Sequence, residues 1–370
     1  MTEDLFSEFD TVSKAEWQRK IEQDLKGKPL RDLEWQLNEE IRLSPIHHRE
    51  DRTGSDAPMI GQRRDNLWEI TERIDVRVIK AANASALSAL ENGTQSIWFE
   101  LNKECSELEL ALLLDQIQLD LISTHFSLRD PGCRPVELLQ HFYDIVTKLR
   151  LDPSRIRGSL RLPGDPTKAL QFTQQFLPRF RSLTIAANES LTDPQRRLTE
   201  LLTDVQQQLI RYRTVYPTER IHQATQLHLP VGKSYFVEIA TIRALHLLYA
   251  NLLKANGLNS AGRAPILAYV HPSVYDPKEP YQNMIAMTFV AMAAVIGGVN
   301  QLQLAPADRE SNTKIEVARR QARNVQHILQ LESHFGDVID PAAGSYYIEK
   351  LTDQLAERVW ADLIKRQDTL

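Results

Sequence analysis

Cysteine is scarce: the 370-residue chain holds two, Cys105 and Cys133. Two thiols cannot build a disulfide framework, and so few suit a reducing compartment, with the cytoplasm as the default. They are read as structural thiols, because free cysteine mostly behaves as a small buried hydrophobe. An excess of positive charge is lacking too. The 44 Lys and Arg residues stand against 49 Asp and Glu, and a net charge of −5 leaves no basic footprint for nucleic acid. No apolar run approaches the roughly 20 residues of a membrane helix. The acidic start, Met1-Thr-Glu-Asp-Leu-Phe, lacks the basic-then-apolar pattern of a secretory signal. Low-complexity tracts and fixed-period repeats are absent. What is present is a globular composition, 42% hydrophobic and 25% charged. It is long enough for one large barrel or two ordinary domains.

The first 65 residues read as an arm. Ser13-Lys-Ala-Glu16 is a capping box, with Glu placed to reach back to the helix start. Trp17, Ile21 and Leu25 follow at helical spacing and give this short helix one apolar face. Leu33-Glu-Trp-Gln-Leu37, which contains Trp35, alternates like a strand. Residues 44–64 are polar and hold Pro45, Gly54, Pro58 and Gly61, which predicts an extended segment without its own core. His47-His48 within it reads as a solvated pair.

From Asn66 to residue 370, apolar runs of four to six residues alternate with helical patterns. Parallel strands linked by helices are the expected result. Eight candidate strands cover 96–101, 119–123, 158–162, 183–186, 225–229, 266–270, 300–304 and 337–340. Helical patterns lie between them, among them 135–149, 198–212 and 235–253. Thr313-Lys-Ile-Glu316 is a second capping box, opening a helix with Ile315, Ala318, Ala322, Val325 and Leu329 inward. Eight strands and eight helices predict an α/β fold, a single (β/α)₈ TIM barrel. Gly297-Gly298 ends a helix, where Gly relieves left-handed strain. Arg319, Arg320 and Arg323 share a helix with Glu316 and read as a solvated, ion-paired face.

A barrel carries function at the C-terminal ends of its strands. The side chains predicted there are His125, Arg161, His228, His271 and Asp340. Three histidines and an Asp are metal-ligating types, but their spacings fit no metal pattern. Core or rim histidines around a polar mouth are the expected reading, with no metal.

Three sequence blocks point further: Gly297-Gly298, Ala322-Arg-Asn-Val-Gln-His-Ile-Leu329 and Asp340-Pro-Ala-Ala-Gly-Ser-Tyr-Tyr347. Together they resemble the back end of the coenzyme A mutase barrel, the substrate domain of methylmalonyl-CoA mutase. The likeness runs from about Val12 to Trp360. It includes Trp17-Gln-Arg-Lys-Ile-Glu-Gln-Asp-Leu-Lys-Gly27, Lys80 to Gly93 and Val231 to Leu245. Val274-Tyr-Asp-Pro277, Tyr281-Gln-Asn-Met284 and Arg323 to Leu329 are in the style of the small, non-catalytic subunit of heterodimeric bacterial mutases. In that family the N-terminal arm packs on the partner subunit, which makes Trp17, Ile21, Leu25 and Trp35 the implied contact. The resemblance also makes Asp340 to Gly344 a structural turn.

The departures from the family bear on function. Catalytic members carry a Tyr-His pair after the fourth of these strands, and the matching positions read Asn188 and Glu189. The substrate-clamping Arg and Ser fall near Ala224 and Gln226, a loop Gln falls near Lys278, and the arm's Arg-Pro-Trp is absent. The Asp-x-His-x-x-Gly of a cobalamin-binding domain does not occur, and that domain is expected to be missing. Each lost donor to a developing charge costs on the order of 10²–10³ in rate. The resemblance therefore implies a structural small subunit, paired with a larger catalytic chain that carries adenosylcobalamin, with no cofactor on this chain alone. Two alternatives stand beside it. One is a catalytic barrel whose cobalamin domain is a separate chain. The other is a non-enzymatic acyl-CoA-binding homodimer, against which bulky Phe126, Tyr269 and Tyr275 in the mouth would argue.

Overall fold

A computed structural model describes residues 12–51, 65–258, 262–307 and 315–367. Its centre is a closed parallel barrel. The strands are β3 (Glu69–Val76), β4 (Ser96–Leu101), β5 (Ser123–Leu128), β6 (Arg157–Arg161), β7 (Phe180–Arg181), β8 (Leu183–Ala186), β9 (Thr225–Val231), β10 (Ile266–Val270) and β11 (Gln301–Gln303). They run in the order β7-β6-β5-β4-β3-β11-β10-β9-β8. β7 pairs only with β6 and β8 only with β9, and Ser182 alone separates them. These two pieces are one strand that changes partner midway. The nine ladder members are thus eight barrel strands, and the (β/α)₈ fold is confirmed.

Two of the eight predicted strands are corrected. Residues 337–340 form no strand; Asp340 precedes Pro341, and its carboxylate is drawn to Arg243 on a neighbouring helix. The missing strand is β3. Ile70, Ile74 and Val76 on it are buried, but Glu69, Thr71, Arg73 and Asp75 alternate with them and mask the apolar period. With β3 counted first, the strand before Asn188 is the fifth of the barrel, not the fourth. The second predicted strand also slides. Residues 119–122 turn, and β5 begins at Ser123 because the inward-facing His125 and Ser127 interrupt the apolar run.

Helices wrap the barrel. Among them are α2 (Ile79–Glu91), α3 (Glu107–Leu113), α4 (Pro135–Lys148), α5 (Thr167–Phe176) and α6 (Pro194–Tyr212), followed by α7 (Thr218–Ala224). Next come α8 (Tyr235–Ala255), α9 (Pro280–Gly297), α10 (Ile315–His327) and α11 (Tyr346–Gln367). One apolar core lies between β8 to β11 and α6, α8, α9 and α11; a second lies between β3 to β6 and α2 to α5. Contrary to the sequence reading, α8 and α9 are long and apolar enough to cross a membrane by length and composition. In α8 the cause is packing: it is wedged between α9, α11 and α6 and so is apolar nearly all round. Gly298 caps α9 in the left-handed conformation, φ 93°.

The arm begins with α1 (Lys14–Asp24), whose capping box forms as predicted, Ser13 Oγ accepting from Glu16 N at 3.3 Å. No residue of α1 is buried. A short antiparallel pair follows, β1 (Trp35–Gln36) with β2 (Arg42–Leu43). Ile41 and Leu43 are 1% exposed and join the core of α6 and α11, so this part of the arm borrows its core from the barrel. His47 and His48 are half-buried rather than solvated; the His47 ring lies 5.8 Å from that of Tyr347. Gly54, Pro58, Gly61, Thr313 and Lys314 lie outside the described residues. Arg319 pairs with Glu316 at 3.0 Å as expected. Arg323 is instead buried against Glu72 at 2.5 Å, because β3 supplies a carboxylate that the sequence did not place there.

Candidate functional site

Side chains that face inward along the strands form two layers across the barrel axis. Trp98, Leu267 and Tyr269 pack together, each 3% exposed or less. The Trp98 indole N–H donates to Ser127 Oγ at 2.7 Å, and the Arg73 guanidinium lies 4.9 Å above its ring. His228 meets Trp98 edge to face with centroids 4.8 Å apart. Both ring nitrogens of His228 are buried without a hydrogen-bond partner among the described residues, and burial holds its pKa well below the usual value. Nearer the strand beginnings, His125 sits between Ser159 Oγ at 2.8 Å and the Gln301 amide at 3.0 Å. Burial pushes its pKa down to about 3, with Arg181 and Arg157 adding to the effect.

The predicted mouth residues therefore separate. Arg161, at the end of β6, and His271, just after β10, stand at the C-terminal face. His228 lies within the barrel. His125 is a correction: it lines the cavity at the opposite, N-terminal end, because β5 starts later than the sequence suggested. Asp340 is a second correction. It lies outside the mouth, beneath α8, where it accepts from the fully buried Arg243, whose other arm meets Glu349 at 2.8 Å. The Asp340-to-Tyr347 motif thus anchors α11 to α8 through a buried cation. No three His, Cys, Asp or Glu side chains converge among the described residues.

Over the axis, the turn after β8 folds inward. Tyr269 donates its hydroxyl to Glu189 Oε1 at 2.6 Å. Burial raises the Tyr269 pKa, and the bond to Glu189 raises it further. His271 Nδ1 accepts from Ser273 N at 3.1 Å, which leaves Nε2 to donate to the Glu189 carbonyl at 2.8 Å. Asn188 does not enter the axis; it accepts from Ser190 N at 3.0 Å and leans toward Glu200. Ala224 ends α7 and Gln226 lies at the start of β9, where it donates to Pro265 O at 2.9 Å, and Lys278 is exposed. Of the bulky candidates, Tyr269 fills the axis. Phe126 faces outward and stacks on Phe99 at 6.0 Å, while the hydroxyl of half-buried Tyr275 is tied to Ala305 O at 2.6 Å. The sequence reading missed Trp98 and Glu100. Glu100 holds Arg73 and Arg129, both at 2.5 Å, so it braces the cation over the indole. The even parity of Trp98 and Glu100 in Ser96–Leu101 was the available signal.

Chemically, Tyr269, His271 and Glu189 at this mouth are bonded to one another. The Tyr269 proton is committed to Glu189, and the His271 donor to a backbone carbonyl. The fold and site define a (β/α)₈ barrel protein whose axis is closed near its C-terminal mouth. Residues 216–368 match the family model described as methylmalonyl-CoA mutase. Over 99% of its length the chain is 31% identical to the methylmalonyl-CoA mutase small subunit of Porphyromonas gingivalis. It is 27% identical over 79% of its length to the small subunit of Streptomyces virginiae, and 25% identical over 98% to the methylmalonyl-CoA mutase of Cereibacter sphaeroides. It spans 64%, 50% and 58% of the lengths of these three relatives. The chain is similar to the methylmalonyl-CoA mutase family, in the style of its small subunits.

Proposed function

We propose that this chain is the structural small subunit of a methylmalonyl-CoA mutase, a complex that interconverts methylmalonyl-CoA and succinyl-CoA. Its partner is a larger catalytic chain that carries adenosylcobalamin, and the pair works in the cytoplasm. The observation that carries this reading is the closed mouth. A catalytic barrel must hold a thioester in open space beside donors that are free to bind it. Here Glu189 stands where the family resemblance places a catalytic residue, and it is hydrogen-bonded to Tyr269 and His271 instead. Trp98, Leu267 and Tyr269 fill the axis below it. The small-subunit names of the relatives agree with this role.

The role that remains is to hold the catalytic chain through the arm, with Trp17, Ile21, Leu25 and Trp35 as the contact. Purified alone, the chain is expected to show no mutase activity and no adenosylcobalamin binding. Mixed with the large chain of the same organism, it is expected to form a stable complex and support turnover. Activity with only a separate cobalamin-domain chain would sink the reading and move the chemistry into this barrel. A stable homodimer that ignores the large chain would count equally against it.

A further inference from the structure

The barrel wall has a seam. β7 pairs only with β6 and β8 only with β9, so no ladder joins β6 to β8 where the sheet closes on itself. Thr184 Oγ1 bridges the seam, donating to Leu160 O at 2.9 Å. A cavity of about 220 Å³ lies over it, outside the barrel axis, between β6, β8 and α6. The two apolar cores meet here: Leu160 and Leu162 line the cavity from one, Leu183 and Ile185 from the other. Four lining side chains are polar, Ser182, Thr184, Asp204 and Gln208. Two of them are committed, Thr184 to Leu160 O and Ser182 Oγ to Thr173 Oγ1 at 2.8 Å. The other two stand one turn apart on α6. Gln208 Oε1 is buried with no hydrogen-bond partner among the described residues. The half-buried Asp204 carboxyl forms no hydrogen bond or ion pair among them either; burial raises its pKa, and Glu200 raises it further, against a smaller opposing effect of exposed Arg366. A desolvated carboxylate and an orphaned acceptor on one cavity wall are both unfavourable until a donor completes them.

We propose that this seam cavity binds a small alkylammonium ion, its ammonium between Asp204 and Gln208 and its chain against the four leucine and isoleucine side chains. Two acceptors call for a donor, and the carboxylate calls for a positive one. An ammonium carries three donors and no acceptor, so it can serve both groups at once. A hard metal ion would need six or more oxygen ligands, which these two side chains do not supply. At the ~30 Å³ a water takes in the liquid, the cavity holds on the order of seven non-hydrogen atoms, which keeps the chain short. The bound ion bridges α6 to the one part of the barrel wall that no ladder closes.

Isothermal titration calorimetry of the full-length chain with n-butylammonium chloride, at neutral pH and constant ionic strength, tests the site. One site per chain with a dissociation constant of about 1 mM is expected. Asp204→Asn should weaken it at least about tenfold through loss of a charge-assisted bond. The same variant should hold or raise the melting temperature, because it removes a carboxylate that burial disfavours, so lost binding is not lost folding. Gln208→Leu leaves the charge unchanged and should weaken binding about threefold through the lost acceptor. n-Butanol has the chain without the charge and should bind at least about tenfold more weakly. Three results would overturn the proposal. They are no heat up to about 20 mM butylammonium, butanol binding as tightly as the amine, or unchanged affinity in Asp204→Asn.

Discussion

Tyr269 and Glu189 lie 80 positions apart in sequence and meet at 2.6 Å across the end of the barrel axis. This bond ties the turn after β8 to β10 at the C-terminal end of the barrel axis. Tyr269→Phe keeps the ring and deletes the bond. Glu189 is largely exposed and can rehydrate, so the loss should be near the low end for a hydrogen bond to a charged group, about 1.5 kcal/mol. Thermal melting should register a drop of about 2 °C. Turnover of the assembled complex should be unchanged. A large fall in turnover without loss of complex would show that the mouth takes part in chemistry.

His125 supplies a pH dependence. Its folded pKa of about 3 lies below its ordinary value of 6.5. Between those values the unfolded chain binds a proton that the folded chain refuses. Stability is therefore complete above about pH 6.5 and falls as pH drops toward 3, by up to about 1.4 kcal/mol per pH unit from this residue. His222, lowered to about 4 mainly by burial, acts in the same direction. Replacing His125 with Gln should make the acid limb shallower by about one proton. Urea unfolding at several pH values from 7 to 4 reads this slope. An equal slope in the variant would mean that His125 takes up its proton in the fold.

How far the sequence could be read depended on which face of each strand carried the apolar residues. Residues 96–101, 183–186 and 266–270 coincide with β4, β8 and β10, whose runs are apolar enough to stand out. β3 could not be seen, because its inward positions are Glu69, Thr71, Arg73 and Asp75, and outward Glu72 is neutralised by Arg323 more than two hundred residues away. The same distance effect limited the site. His271 and Arg161 were placed at the mouth from strand ends alone. Glu189 could be recognised as a departure from the family, but its bond to Tyr269 depends on how the barrel closes. Asp340 was misplaced because its partner, Arg243, lies on a helix rather than in the barrel.

That partner makes Asp340 sensitive to substitution. Arg243 is fully buried, and Asp340 and Glu349 are its carboxylate partners. Asp340→Asn removes one of them and leaves the cation undercompensated, which should cost about 3–5 kcal/mol. Replacing Arg243 with Met in the same chain should recover part of that loss, since the cation no longer needs a partner. Denaturant midpoints of the two single variants and the double variant measure the coupling. Strict additivity would mean that the pair contributes nothing as a pair.

The arm carries the most direct consequence for assembly. Trp17 and Ile21 on α1 and Leu25 just after it recur every four residues and are half-buried, and Trp35 is 43% exposed. An apolar ridge held outside its own core contributes little to the stability of its own chain and is suited to a partner surface. Trp17→Asp with Ile21→Asp should leave the melting temperature of the isolated chain within about 1 °C, since surface changes are near neutral. The same double variant should weaken binding to the large chain by at least about tenfold, because interface anchors of this kind cost more than 1 kcal/mol each. Co-purification and a titration by calorimetry separate the two effects. Unchanged affinity would place the contact elsewhere on the barrel, while loss of folding would show that α1 packs on its own chain.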